Sequence, residues 1–151
     1  MRALIQRVTE ASVYVGQEVA GEIGDGLVVL IGVGRGDSES DIRFVVDKCI
    51  NLRIFSRSDG RFDRSALDVG ADLLIISQFT LYADISRGRR PSFTDAVSSS
   101  VAEPIFNQTV DAFRKTGLKV EEGQFQKHMV VSINNDGPVT IMVDSRARNS
   151  P

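Results

Sequence analysis

Few residues capable of covalent or metal chemistry occur in this chain. It holds one cysteine, one histidine and no tryptophan in 151 residues. A single cysteine, Cys49, cannot close an internal disulfide, and no second cysteine accompanies His128 to suggest a zinc site. No structural metal and no cofactor are therefore expected. Long hydrophobic runs are also lacking. The longest, residues 27–31, is far too short to span a bilayer, and Met-Arg-Ala-Leu-Ile at the start has no apolar h-region with a cleavage site. A cytoplasmic protein without a membrane partner is the expectation. Nor is there a surplus of positive charge: 18 basic against 20 acidic residues give a net charge of -2. DNA is not expected as a partner, and any nucleic-acid contact must come from a local basic patch.

What is present has the make-up of one globular domain, 42% hydrophobic and 25% charged. Residues 2–15, rich in Val, Ile and Thr, run into the turn signal Gly16-Gln17 and predict two strands in a hairpin or meander. Gly24-Asp25-Gly26 predicts a turn, and residues 27–33 form a nearly continuous apolar run expected of a central strand. That run ends in Gly32-Val-Gly-Arg-Gly-Asp37, which lacks the third glycine of a dinucleotide loop, so a Rossmann reading is set aside. Ser38 with Asp41 resembles a capping box. Ile42, Val45, Val46, Cys49 and Ile50 then fall on one face of a helix, where Cys49 reads as core. Residues 52–55 suggest a strand and Ser58-Asp59-Gly60 a turn. Asp59, Asp63 and Asp68 do not match a calcium loop. Ser100 with Glu103 suggests a second capping box, opening a helix that Gly117 stops and whose start Pro104 blurs. Residues 118–121, 129–134 and 139–143 complete the strands.

Two stretches carry chemistry. Asp72-Leu-Leu-Ile-Ile76 is a buried strand that turns abruptly polar at Ser77-Gln78-Phe79-Thr80-Leu81-Tyr82, offering hydroxyls, an amide and an aromatic ring at its C-terminal end. The competing reading is that these good strand formers simply continue the strand. Farther on, Asn135-Asp136-Gly137-Pro138-Val139-Thr140 lies between two strands, where a hairpin turn is the plain reading. Between the two stretches, Arg87, Arg89 and Arg90 occupy a Gly-, Ser- and Pro-containing loop. Three guanidiniums there suit phosphate contacts, or merely form a solvated surface.

Together, Ser77–Tyr82 and Asn135–Thr140 resemble the two signature motifs of the D-aminoacyl-tRNA deacylases. Gln6-Arg-Val8, Ala11-Ser-Val13, Leu52-Arg-Ile-Phe55, Leu67-Asp-Val-Gly70, Gly88-Arg-Arg-Pro-Ser-Phe-Thr-Asp95 and Val143-Asp-Ser145 follow in family order. The resemblance covers almost the whole chain. It departs at Gln124-Phe-Gln-Lys-His-Met129, where the family usually carries small residues before the methionine. It also departs in the tail from Arg146 to Pro151, which is expected to be disordered after a domain spanning 1–145.

The resemblance implies a three-layer β/β/α domain of the α/β class with mixed sheets and an order of about β2-(βα)2-β3. It implies hydrolysis of the ester of D-aminoacyl-tRNA, and of glycyl-tRNA, with L-aminoacyl-tRNA spared. Ser77, Gln78, Phe79 and Thr80 become the catalytic stretch. Backbone amides near Phe79 and Thr80 would stabilise the oxyanion, and Phe79 would pack on the adenine or the aminoacyl end. Gly137 and Pro138, in a Gly-cis-Pro motif steadied by Arg7, would grip the substrate's α-amino group, with Met129 also in the pocket. The motif would reach into the partner's pocket in a homodimer. Whether Thr80 is nucleophile, orienter or strand residue stays open. A conventional Ser/Thr esterase and a non-catalytic tRNA-binding module are the rival functions.

Overall fold

The computed structural model describes residues 1–56 and 59–149. Strand β1, Arg2–Val15, is the spine of the molecule. It is one 14-residue strand where the sequence suggested two, and the hairpin forms across Gly16-Gln17 with β2, Glu18–Ile23. Strand β3, Gly26–Gly32, returns antiparallel to the first half of β1, and the pairing carries Arg2 opposite Gly32 and Arg7 opposite Leu27.

Helix α1, Glu39–Asn51, begins where the capping pair predicts: the Asp41 carboxylate accepts from the Ser38 amide at 2.9 Å and from its hydroxyl at 2.8 Å. Its buried face includes Ile42, Val45, Val46, Cys49 and Ile50, as the spacing required. The strand expected at 52–55 is reduced to β4, Phe55–Ser56, which pairs with β5, Phe62–Arg64, in a separate two-stranded sheet. The Ser58 end of the expected 58–60 turn lies outside the described residues. A short helix α2, Ala66–Val69, was not foreseen. Ser65 and Asp68 cap it reciprocally, so Asp68 is a capping residue rather than a merely solvated one.

Strand β6, Asp72–Ser77, runs parallel to β3, and Phe79–Tyr82 after it form a 3-10 turn, so the strand does not continue. Helix α3, Ser99–Arg114, starts from Ser98, whose carbonyl accepts from the amides of Val101 and Ala102; the box expected at Ser100 and Glu103 does not form. Pro104 lies inside this helix. Strand β7, Val120–Glu122, pairs parallel with β6.

The last strand, β8, Val130–Asp144, runs antiparallel along the whole of β1. Here the sequence reading of two strands and a hairpin turn is corrected. The chain keeps its direction, and residues 136–139 arch out of the sheet as an excursion between Asn135, paired with Val8, and Thr140, paired with Gln6. The neck of the arch is stitched by the Asn135 amide, which donates to the carbonyls of Arg7 and Val139 at 3.0 Å each and so replaces lost ladder bonds. After β8, Ser145–Asn149 form a 3-10 turn in which Arg146 donates to the Arg35 carbonyl at 2.9 Å. Most of the tail expected to be disordered from Arg146 falls within this turn, and residues 150 and 151 lie outside the described part.

The result is an α/β domain whose mixed six-stranded sheet, β2-β1-β3-β6-β7 with β8 on β1, curls towards closure. One face carries the larger core. Ala3, Ile5, Leu27, Val29, Ile31, Leu73 and Ile75 meet α1 and α3 there, with Phe106 and Phe113 fully buried. Each such ring contributes on the order of 1.5–3 kcal/mol by burial. The other face encloses Val8, Ala11, Val13, Ile23, Val28, Leu74 and Ile76. A Cβ on Gly21 of β2 would lie 3.1 Å from the Glu122 carbonyl of β7, which shows how closely the curled sheet approaches itself. No helix among the described residues is long and apolar enough to cross a membrane.

Candidate active site

Strand β6 is apolar and buried from Leu73 through Ile76 and then breaks. Gln78 donates its amide to the Ile31 carbonyl at 2.7 Å, and the chain turns into the 3-10 segment. Room for that turn comes from β3. A Cβ on Gly32 would sit 3.1 Å from the Gln78 carbonyl, and one on Gly34 would overlap the Tyr82 ring at 2.5 Å. The glycines that suggested a nucleotide loop in the sequence therefore serve to seat the 3-10 turn. Arg2 clamps the turn from β1. Its Nη1 donates to the Leu81 carbonyl at 2.9 Å, and its guanidinium lies 4.7 Å from the Tyr82 ring centre.

A 3-10 turn leaves the first amides of its backbone without intrahelical acceptors. Gln78 donates to Ile31 and Leu81 donates to Gln78, whereas the amides of Phe79 and Thr80 have no acceptor among the described residues. Of the two, Phe79 belongs to the lining of a pocket of about 600 Å³, and Thr80 follows it in the chain just outside that lining. Ser77, Gln78 and Phe79 form one wall, Val33, Val97, Ser99 and Ala102 a second, and residues 125–129 with Val131 a third. Thr80 is not part of the pocket lining, and its hydroxyl accepts a hydrogen bond from the side-chain amide of Gln78. Phe79 is 56% exposed and meets Phe93 edge-on with ring centres 5.0 Å apart.

That contact ties the motif to the arginine loop. Asp84 and Ser92 exchange backbone hydrogen bonds of 2.7 and 2.9 Å at its base. Arg87, Arg89 and Arg90 stand exposed at its tip without an ion pair among the described residues.

Of the selection residues named from the sequence, Met129 lines the pocket and the others do not. Arg7, Gly137 and Pro138 form a separate group at the excursion. Arg7 is 8% exposed; its Nη1 donates to the Ile54 carbonyl at 2.5 Å, and its Nε lies 2.9 Å from Asp136 Oδ2. Gly137 has φ +113°, and a Cβ there would lie 2.9 Å from Val139 Cγ2 and 3.1 Å from Arg7 Nη2, so only glycine fits. The Gly137–Pro138 bond is cis. Both residues are exposed. Register places Arg7 level with Leu73 at the start of β6, whereas Ser77 is four residues on, about 13 Å along the strand. Within one chain the two motifs do not share a pocket.

Of the third wall, sequence reasoning named Met129 alone. Phe125 packs against Phe106, ring centres 5.8 Å apart, and anchors a turn in which the Lys127 amide donates to the Gln124 carbonyl at 3.3 Å. Gln126 in that turn has φ +60°, the one non-glycine residue with positive φ among those described. Lys127 and His128 thereby enter the pocket lining. The run of unusual residues before Met129 was the available signal. Neither Ser77 nor Thr80 hydrogen-bonds to His128. Cys49 is fully buried and its thiol pKa is pushed up by burial, consistent with a core residue. Among the described residues no three His, Cys, Asp or Glu side chains are grouped to hold a metal.

Residues 4–144 match the model of the family described as D-Tyr-tRNA(Tyr) deacylase. The chain belongs to this family. It is 51% identical over 151 residues to the D-aminoacyl-tRNA deacylase of Roseiflexus sp. (strain RS-1), covering all of this chain and 97% of that one. It is 53% identical over 150 residues to that of Heliobacterium modesticaldum, covering 99% of this chain and 100% of the relative. Among solved structures it resembles a c-Myc DNA unwinding element binding protein with a TM-score of 0.90 and 38% identity, covering 95% of this chain and 98% of the other. A probable eukaryotic D-amino acid tRNA deacylase shares the fold with a TM-score of 0.80 at 17% identity. As a member of this deacylase family the protein is a hydrolase of the aminoacyl-tRNA ester bond.

Proposed function

We propose that the protein is a chiral proofreader. It hydrolyses the ester of D-aminoacyl-tRNA, and of glycyl-tRNA mischarged on tRNA-Ala, and spares L-aminoacyl-tRNA. The observation that carries the site assignment is the pair of amide donors without acceptors at Phe79, in the lining of the pocket with Ser77 and Gln78, and at Thr80, the next residue. Water attacks the ester carbonyl, the carbonyl oxygen becomes an oxyanion held by these amides, and the carbon–oxygen bond to the ribose breaks. Free amino acid and tRNA leave, the ribose oxygen taking a proton. The protein offers no base joined to Ser77 or Thr80, so activation of the water falls to the neighbouring ribose 2′-hydroxyl, and the protein contributes position and amides.

D and L substrates contain the same atoms, and only fixed contacts around the α-carbon separate them. In this reading the Gly137 and Pro138 carbonyls grip the α-amino group and exclude an L side chain, with Arg7 steadying them. Because that arch lies apart from its own chain's pocket, a second copy has to deliver it, which makes the working unit an isologous homodimer with two sites. The exposed arch and the outer edge of β8, which pairs with no described strand, support this arrangement. Arg87, Arg89 and Arg90 take tRNA phosphates. Although one structural relative is named for a DNA element, a chain of net charge -2 has no general attraction to duplex DNA.

Incubating the protein with one tRNA charged with matched D- and L-amino acids, and following released amino acid, tests the reading. Release from the D ester alone is expected. Binding without release would make it a tRNA-binding module. Complete loss of turnover in both Ser77→Ala and Thr80→Ala would make it a conventional esterase.

A further inference from the structure

The pocket lining is apolar or neutral on every wall except one. Val33, Ile76, Val97, Ala102, Met129 and Val131 supply hydrocarbon, and no acidic side chain lines it. Lys127 is the one permanently charged group there, and its side chain is exposed at the rim. Its position is fixed from both sides: Phe125 before it is held on Phe106, and Met129 after it packs beside Gly123, where a Cβ would lie 2.7 Å from the Met129 sulfur. Between them Gln126 adopts the left-handed conformation, φ +60°, which residues with a side chain rarely take, and Lys127 follows it in the pocket lining. Lys127 makes no ion pair among the described residues. An unpaired cation held by a strained turn at the rim of an otherwise uncharged pocket, in a chain that is acidic overall, is placed for an anion that enters with the substrate.

We propose that Lys127 binds the phosphodiester that joins the terminal adenosine of the substrate to the preceding nucleotide. This rests on the reading of the pocket as the site of an aminoacyl-adenosine ester. Of the anions such a substrate carries, the terminal phosphodiester is the one present whatever the amino acid, and it lies one ribose away from the ester that the Phe79 and Thr80 amides face. Lys127 lines the same pocket as Phe79, and Phe79 in turn meets Phe93 of the loop that carries Arg87, Arg89 and Arg90, so the RNA end is met by both basic groups. A lysine ammonium serves here as a point charge with rotatable donors, suited to a single phosphate whose orientation varies as the strand enters.

The test uses a non-hydrolysable mimic, 3′-deoxy-3′-(D-tyrosylamino)adenosine, with and without a 5′-phosphate, titrated calorimetrically into the full-length protein. The phosphate is expected to tighten binding about tenfold for the parent and for Lys127→Arg, and to have no effect for Lys127→Ala, whose affinity for the unphosphorylated mimic stays at the parental value. A phosphate effect that persists in Lys127→Ala overturns the proposal. So does a parent that gains nothing from the phosphate, including one that binds neither mimic. Equal loss of both mimics in Lys127→Ala also overturns it, since the residue would then only shape the pocket. Because the readout is binding, failure of the deacylase reading itself appears separately, as absence of release from D-aminoacyl-tRNA.

Discussion

At the scale of single residues, two positions do opposite kinds of work. Arg7 gathers the excursion: one buried guanidinium reaches the Ile54 carbonyl, the Asp136 carboxylate and, 5.2 Å away, the Phe62 ring. Arg7→Met keeps the aliphatic stem and removes the charge. It is expected to cost about 2 kcal/mol in urea unfolding, the worth of a hydrogen bond from a charged group. It should also lower deacylation of D-aminoacyl-tRNA at least tenfold through misplacement of residues 136–139, and Arg7→Lys should recover part of both. Gln126 works the other way, holding strain in a wall of the pocket. Gln126→Gly removes the left-handed penalty of about 1–2 kcal/mol and adds chain entropy of about 0.5–1 kcal/mol, so a net gain of about 0.5–1 kcal/mol is expected in chemical denaturation. A destabilised Gln126→Gly variant would show that the glutamine side chain, not the backbone, decides stability at this position.

At the scale of elements, α1 owes its start to Asp41. Partial burial works against ionisation, but hydrogen bonds from Ser145 and from the amide and hydroxyl of Ser38 outweigh it and bring the pKa down to about 2. A carboxylate whose folded pKa lies below its unfolded value of about 3.9 stabilises the fold above that value, and the contribution is lost as pH falls towards 2. Thermal midpoints measured from pH 5 to pH 2 should fall through this window. Asp41→Asn should be less stable at pH 5 and show a shallower fall; an equal fall would place the acid sensitivity elsewhere. The elements also show what could be read from the chain. Helix α1 was legible because cap and periodicity agree, and β3 and β6 because both their faces are covered. The 3-10 turn after Ser77 was not. Its residues favour strands, and what overrides them is space at Gly32 and Gly34 contributed by another strand. The excursion was misread as a hairpin since Gly-Pro signals a break in pairing, but the direction of the chain beyond it is set by Asn135 bridging Arg7 and Val139, a contact between positions remote in sequence.

At the scale of the whole molecule, the site named from the sequence divides into a pocket group and an arch group, which the proposed homodimer would reunite. A dimer is expected in light scattering at assay concentrations, and an active monomer would remove the cross-subunit reading while leaving the pocket intact. The same division separates affinity from selectivity. Replacing Arg87, Arg89 and Arg90 by alanine should weaken tRNA binding and reduce its salt slope by up to about three, with the preference for D over L unchanged, because the proposed role of those residues is toward phosphates and not the α-carbon. If affinity and salt slope survive the triple substitution, the loop is ordinary surface.

The arch also fixes a count. Between its two neck pairs β8 takes five residue steps while β1 takes two, so three extra residues are accommodated. Alternation along a strand has period two, and an odd insertion reverses it. Val131 and Ile133 before the arch face the smaller core, whereas Val139 at its end and Val143 after it, also odd-numbered, face the larger one. The arch is thus a frame-shift in the pleat. Its length is locked in parity: exchanging residues within it leaves the sheet in frame, whereas removing one residue would turn Ile141 and Val143 to the wrong face and unseat the C-terminal half of β8 from the core it completes.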